Sequence, residues 1–259
     1  AKGYRAPSIQ GRSLLFSASH TTADSELVTS IETGFKSTML ENTARIDGSV
    51  FYYVVDDQQL TAVGGSGNVA SLLNADKAVG YGFELDSEFW ANENLVFAAS
   101  LSYNHTELQD STISVDGCGG GNTNNGKLCT ITNPLDDDGR ALIDGNPLPQ
   151  SPEWIGNLSA RWTKEIGDGE LYIYTDWSYR SEVNFFLYES VEFTGSPLTE
   201  GGLRVGYEWF TDGAEYEVAV YGRNITDSKE LTGGIDFNNL TGYTNEPRFY
   251  GVEFKANFF

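Results

Sequence analysis

Two histidines, His20 and His105, are the only imidazoles in this 259-residue chain. A histidine beside a carboxylate can activate water as a general base, so the pair is the first place to look for hydrolytic chemistry; two histidines in polar loops are also plain solvated residues. The run Asp136, Asp137, Asp138, with Asp144 beyond it, has the oxygen ligands a hard cation needs but lacks the spacing of a calcium loop. It reads as a solvated acidic loop, and no metal ligand is assigned. The stretch GCGGGNTNNG follows no strand–helix pattern and lies in an acidic chain, which argues against a phosphate cradle. The only cysteines, Cys118 and Cys129, fall in that region. Their spacing suits a loop disulfide made in an oxidising compartment. No catalytic residue and no cofactor follows from these groups.

The elements that position them are strands. Residues 248–259, RFYGVEFKANFF, place Tyr250, Val252, Phe254, Ala256 and Phe258 on one face and Gly251, Glu253, Lys255 and Asn257 on the other. The same alternation recurs upstream. Ile46, Val50, Tyr52 and Val54 oppose Arg45, Asp47, Ser49 and Tyr53; Val79, Tyr81, Phe83 and Leu85 oppose Gly80, Gly82, Glu84 and Asp86; Leu171, Ile173, Thr175, Trp177 and Tyr179 oppose Tyr172, Tyr174, Asp176, Ser178 and Arg180. About ten such strands fit the chain, and no segment has helical periodicity. The connections alternate in length. Those near Ala6, Gly65, Asn122, Ser190 and Asn238 are long, and those near Asn42, Glu93, Asp168 and Asp212 are tight. An up-and-down barrel in an outer membrane has short turns on one rim and long loops on the other. Soluble Greek-key sandwiches do not sort loop length this way. Trp90, Trp154, Trp162, Trp177 and Trp209 fall near strand ends, where an interfacial aromatic girdle belongs.

Composition limits the partners. With 16 basic against 37 acidic residues the net charge is -21, which argues against nucleic-acid binding and against docking on an anionic surface. No run reaches the roughly 18 apolar residues of a spanning helix, so a membrane protein of this composition must cross with strands. The first residues, AKGYRAPS, contain no charged-then-apolar targeting segment, as expected of a mature chain or one that starts inside a longer protein.

Several segments resemble TonB-dependent outer-membrane receptors: AKGYRAPS, NADKAVGYGFELD, RNITD and EPRFYGVEF, in the family's order along residues 1–259. The resemblance implies an all-β, antiparallel transmembrane barrel. The chain would supply about ten strands of a 22-stranded wall and would form the C-terminal part of such a receptor, the plug domain and earlier strands lying outside it. It implies a bacterial outer-membrane location, outer-membrane lipid around the wall, and a TonB complex engaged through the missing N-terminal region. It also implies uptake of a scarce nutrient, an iron chelate, a cobalamin or an oligosaccharide, with no bond made or broken. One departure is that Phe258 rather than the terminal Phe259 falls on the apolar face.

In such a receptor the polar rows face a lumen or plug, which nominates Arg45, Asp47, Tyr53, Glu84, Arg161, Tyr172, Tyr174, Asp176, Arg180, Arg204, Glu208 and Arg223; internal salt bridges are the alternative role. The loop aromatics Phe185, Phe186, Tyr188, Phe193, Phe237 and Tyr243 are candidates to stack on a small-molecule or oligosaccharide ligand, and packing of the loops against each other is the alternative. Two other functions stay open: a small barrel protease of the omptin type, using an outer-rim Asp/His constellation, and a soluble β-sandwich binding module.

Overall fold

The computed structural model describes residues 1–10, 21–64, 69–118, 129–235 and 240–259. Ten strands form one sheet: β1 (Lys2–Arg5), β2 (Glu26–Met39), β3 (Ala44–Gly64), β4 (Val69–Asn92), β5 (Leu95–Leu108), β6 (Trp154–Ile166), β7 (Gly169–Arg180), β8 (Leu198–Thr211), β9 (Ala214–Arg223) and β10 (Phe249–Phe258). Each is hydrogen-bonded antiparallel to the next in sequence. Up-and-down order of this kind needs only hairpin connections, and the tight ones follow β2, β4, β6 and β8 on one rim. Among the described residues the helical turns are Leu40–Asn42 and Val191–Phe193, both 3₁₀.

Register carries the alternation from strand to strand. One row runs Thr33, Val50, Phe83, Tyr103, Trp154 across β2 to β6, and another runs Trp162, Ile173, Val205, Val220, Val252 across β6 to β10. The opposite face has its own row, Asp47, Asp86, Ser100, Asn157, Ser178, Glu200. A one-residue slip would exchange the two faces, so each strand's pattern enforces the register of its neighbours. The apolar rows are uncovered: Ile31 is 70% exposed, Val252 74% and Phe258 77%. An apolar surface of this extent is not stable in water; lipid is the solvent that suits it.

Aromatic rings mark two levels on this face. Tyr207, Trp209, Tyr216 and Phe254 stack in series near the tight-turn rim, while Phe83, Tyr103 and Trp154 cluster toward the long-loop rim. Trp90 does not belong to either. It pairs with Val96 in the row of Glu84, Asp86 and Glu88, next to a register shift between Trp90 and Asn92, so it lies on the polar side. Phe258 pairs with Ala214 on the apolar face, and Phe259 lies beyond the strand.

The strands β3 and β4 depart from expectation, since the sequence predicts a long connection near Gly65, LTAVGGSGNVASLLN, where both strands continue to Gly64 and from Val69. At 21 and 24 residues they exceed the 9–11 that a spanning strand needs, and at about 3.3 Å per residue they project some 30 Å past a membrane. The left-handed Asp57 (φ 56°) interrupts the alternation. Beyond it Leu60 and Ala62 are buried rather than lipid-exposed. The segment expected as a loop from residue 5 to 26 likewise contains a two-residue ribbon, Ser8–Ile9 with Thr22–Ala23. Further ribbons form in the other long connections: Ser114–Val115 with Ala141–Leu142, Val183–Asn184 with Thr194–Gly195, and Leu231–Ile235 with Thr241–Thr244.

The buried hydrophobic core lies in this upper region, not in the wall. Val55, Leu60 and Ala62 of β3, Ala75 and Ala78 of β4, Leu108 at the end of β5, Ile113, Val115 and Ile143 beyond β5, and Val183, Phe185, Leu187, Tyr188 and Phe193 beyond β7 belong to one cluster. The connections thus fold over one rim of the sheet as a cap with a core of its own. Cys118 and Cys129 are joined by a disulfide at its edge, with Cα atoms 5.9 Å apart.

Candidate functional site

The polar face is lined with charge, and its residues reach across strands. Arg204 of β8 is the hub. Its Nη2 contacts Glu217 Oε1 of β9 at 2.5 Å and Glu253 Oε1 of β10 at 2.8 Å, and its Nε donates to the Tyr172 hydroxyl of β7 at 2.6 Å. That hydroxyl in turn donates to Glu217. Four adjacent strands are therefore tied by one guanidinium, whose fixed fork suits several acceptors at once. Arg161 of β6 lies 3.9 Å from Glu170 and 3.7 Å from Glu208 and sits over the Tyr172 ring at 4.4 Å. Tyr174 occupies the row position between Arg161 and Arg204.

Glycines make these crossings possible. Tyr172 is paired with Gly206, and a Cβ there would come within 2.5 Å of the tyrosine ring. Asp176 of β7 accepts from Arg223 Nη1 of β9 at 2.9 Å, over Gly202 of the strand between them. A side chain at Gly202 would block that pair.

The remaining members of the nominated set share the polar face with less connection. Arg45 bonds Asp47 two residues away at 2.5 Å, Glu84 lies in register between Ser49 and Ser102, and Tyr53 faces Gly80 and packs beneath the cap core. Arg180, at the rim, donates to the carbonyls of Ser181, Gly195, Ser196 and Leu231, so it fastens two long connections rather than facing open space. A cavity of about 620 Å³ opens on this face between β3 and β7, with Arg45, Asp47, Glu88, Asn157, Tyr174 and Asp176 in its walls. One cavity touching five adjacent strands means that the polar face is concave.

The acceptors Glu170, Glu217 and Glu253 are absent from the nominated set although they complete the ion pairs. Their signal was available: Glu217 alternates with Tyr216 and Val218, so it shares a face with Arg223.

The structure places the described loop aromatics in the cap, mostly packed. Phe185, Tyr188 and Phe193 are 4%, 1% and 1% exposed. Phe186 stacks on Tyr188 at 5.6 Å and meets Phe193 edge-on at 4.7 Å. The rings' faces are occupied by loop packing, because irregular connections of this length need apolar anchors to order them. Tyr243 is exposed, at 49%. Phe237 and His20 lie outside the described residues. His105 contacts Glu107 at 3.5 Å and Glu153 at 3.3 Å and packs on Tyr81 at 4.8 Å, in the row of the apolar face rather than in the concavity.

Carboxylates in the cap organise backbone. Hydrogen bonds from the Arg140 and Asp138 N–H groups hold the Asp136 carboxyl below its ordinary range. For Asp110 burial pushes upward, but the N–H groups of Thr112 and Asp76 outweigh it and the net shift is downward. Glu192 behaves alike: burial raises it, and the Thr130 N–H and hydroxyl bring it below the usual value. Among the described residues no cluster of three His, Cys, Asp or Glu has metal-binding geometry.

Comparison with known proteins adds the family. Residues 1–197 match the family model described as TonB dependent receptor-like, beta-barrel. Among solved structures the chain is similar to the ferric yersiniabactin uptake receptor FyuA from Yersinia pestis, with a TM-score of 0.69 and 17% identity over 100% of this chain and 34% of that one. It is similar to the siderophore receptor PiuA from Acinetobacter baumannii, with a TM-score of 0.61 and 17% identity over 91% and 29%. The copper transporter OprC gives 0.58 and 16% over 91% and 31%. The chain spans about a third of the length of these solved structures.

Proposed function

The chain belongs to the TonB-dependent receptor-like β-barrel family, and from that premise we propose that it forms the C-terminal part of a barrel that takes up a scarce nutrient across the bacterial outer membrane. The observation that carries this reading is the pair of continuous rows: an uncovered apolar face across β2 to β10 and, behind it, a concave charged face. A wall with lipid outside and a polar lumen inside has this organisation and a soluble sandwich does not. In this reading ten strands belong to a 22-stranded wall, the plug and earlier strands lie outside residues 1–259, and the TonB complex acts through that N-terminal region. Support comes from the one-third span of the matched structures.

The nutrient is an iron chelate, a cobalamin or an oligosaccharide. Exposed Tyr243 is the loop aromatic best placed to touch it, and the hub around Arg204 is a structural tie of the lumen wall. Carriage of a solute makes and breaks no bond, so no side chain is assigned a catalytic role. The test is growth of cells with and without the receptor on each nutrient class as sole source, in the presence and absence of TonB. The reading expects both deletions to abolish use of the same nutrient; unchanged growth on all three classes overturns it.

A further inference from the structure

The lipid-facing side of the wall is not evenly filled. In the row Phe35, Gly48, Leu85, Leu101, which crosses β2 to β5, Gly48 has no side chain. A groove of about 400 Å³ opens there. Phe35, Val50, Phe83 and Leu85 stand around it on the apolar face, and Phe35 leans over Gly48 so closely that a Cβ at that position would lie 2.7 Å from its ring. Phe35, Val50 and Leu85 are 57%, 53% and 38% exposed, so the described residues leave the groove open. Thr33 is the polar side chain on this side. Ser49 and Glu84 also border the groove, but with Gly34 they belong to the rows of the polar face.

Depth and lining select the occupant. β3 crosses the wall from Ala44 to Asp56, beside the left-handed Asp57, and Val50 is midway along that span. The groove therefore lies near the bilayer midplane, where the methyl ends of acyl chains meet. A water molecule there would need about two to four polar partners, and the apolar side of the groove offers Thr33 alone. Left empty, the groove would forfeit the dispersion contacts of the atoms that line it. A flexible, unbranched hydrocarbon chain restores those contacts and needs no donor or acceptor. We propose that the groove binds the methyl-terminal half of one membrane lipid's acyl chain and holds it longer than the chains that brush the rest of the wall. The groove is continuous with the lipid-facing surface, so its occupant comes from the bilayer already around it. The proposal rests on the wall facing lipid.

The test places the full receptor in phosphatidylcholine vesicles containing a small share of phosphatidylethanolamine with a diazirine at the methyl end of one acyl chain. Irradiation attaches that chain to the residues it touches, and peptide mass spectrometry locates the adducts. Val220 and Val252 serve as controls, being 54% and 74% exposed on the same face but outside the groove. The proposal expects adducts at residues 33–35, 48–50 and 83–85 to exceed those around the two controls about fivefold, because the groove adds contacts that open wall lacks. Val50→Trp, which puts a ring into the groove, should bring them down to the level of the wall; Val220→Trp should leave them unchanged. Adducts in proportion to exposure over the whole wall overturn the proposal, since lipid would then touch the wall without a preferred site. So does enrichment that survives Val50→Trp. Groove residues labelled less than the controls would mean that a second copy or another protein covers the groove, and overturn it as well. Absence of adducts from groove and controls alike would overturn it together with the lipid-facing wall, which separates that failure from the others. If Val50→Trp fails to insert, the wild-type pattern decides by itself.

Discussion

The wall and the cap of this chain solve the hydrophobic problem in opposite directions. In the wall, Ile31, Val220, Val252 and Phe258 point outward and are exposed, while Arg161, Arg204, Glu217 and Asp176 face the concavity. In the cap, Leu108, Ile143, Tyr188 and Phe193 are fully buried and the acids lie at the surface or bond backbone. The difference teaches that burial is defined by the solvent. Lipid accepts the wall's apolar rows, so the wall needs no interior core. Water does not accept the cap's, so the cap must build one.

That contrast sets the order of mutational effects. Phe193→Ala opens a cavity in the cap core and should cost about 3–5 kcal/mol of cap stability. Limited proteolysis should then cut the connection after β7 quickly while the ten-stranded sheet stays protected; cleavage spread equally over both regions would mean that they are one cooperative unit. Val252→Arg puts a charge on the lipid face and should cost about 2–4 kcal/mol near the bilayer midplane. The same change at exposed Val191 of the cap should cost almost nothing, and urea titration in vesicles compares the two.

Smaller effects sharpen the comparison. Arg204→Ala leaves Glu217 and Glu253 without their cation; the arginine side chain is only 25% exposed. A loss of roughly 2 kcal/mol is expected, between the values for exposed and buried pairs. The double variant with Glu217→Ala should lose less than the sum of the single changes. The smallest effect is of pH. Asp110, Asp136 and Glu192 have folded values below their unfolded ones, so their contribution is complete above the unfolded carboxylate values near 4 and is lost as pH falls through the folded values. Protease resistance of the cap should decline below about pH 4, and resistance that rises on acidification would contradict the assignment.

The wall was legible in the sequence and the cap was not, for a physical reason. A strand with two different solvents on its faces must alternate at period two, so Val50, Phe83 and Val252 reveal their side directly. The same rule located Arg204 and Asp176 on the polar face before any partner was known. It fails where backbone irregularity intervenes, at Asp57, beyond which Leu60 turns into the cap core; Trp90 obeys the rule, falling in step with Glu84, Asp86 and Glu88 on the polar side, so its place near a strand end was no sign of a lipid-facing girdle. The cap follows no period. No alternation therefore separates a packing ring from an exposed one there, and the sequence left both roles open for Phe185, Tyr188 and Phe193, which are buried in the connection after β7.

The most direct test of the two-solvent account places nitroxide labels at neighbouring positions of β10, through Val252→Cys and Glu253→Cys, in the receptor reconstituted in vesicles. Oxygen partitions into lipid and a charged nickel chelate stays in water. The account predicts that the label at position 252 is relaxed by oxygen and shielded from nickel, and that the label at 253 shows the reverse. Equal access of nickel to both positions would put the apolar rows in water and contradict the membrane wall.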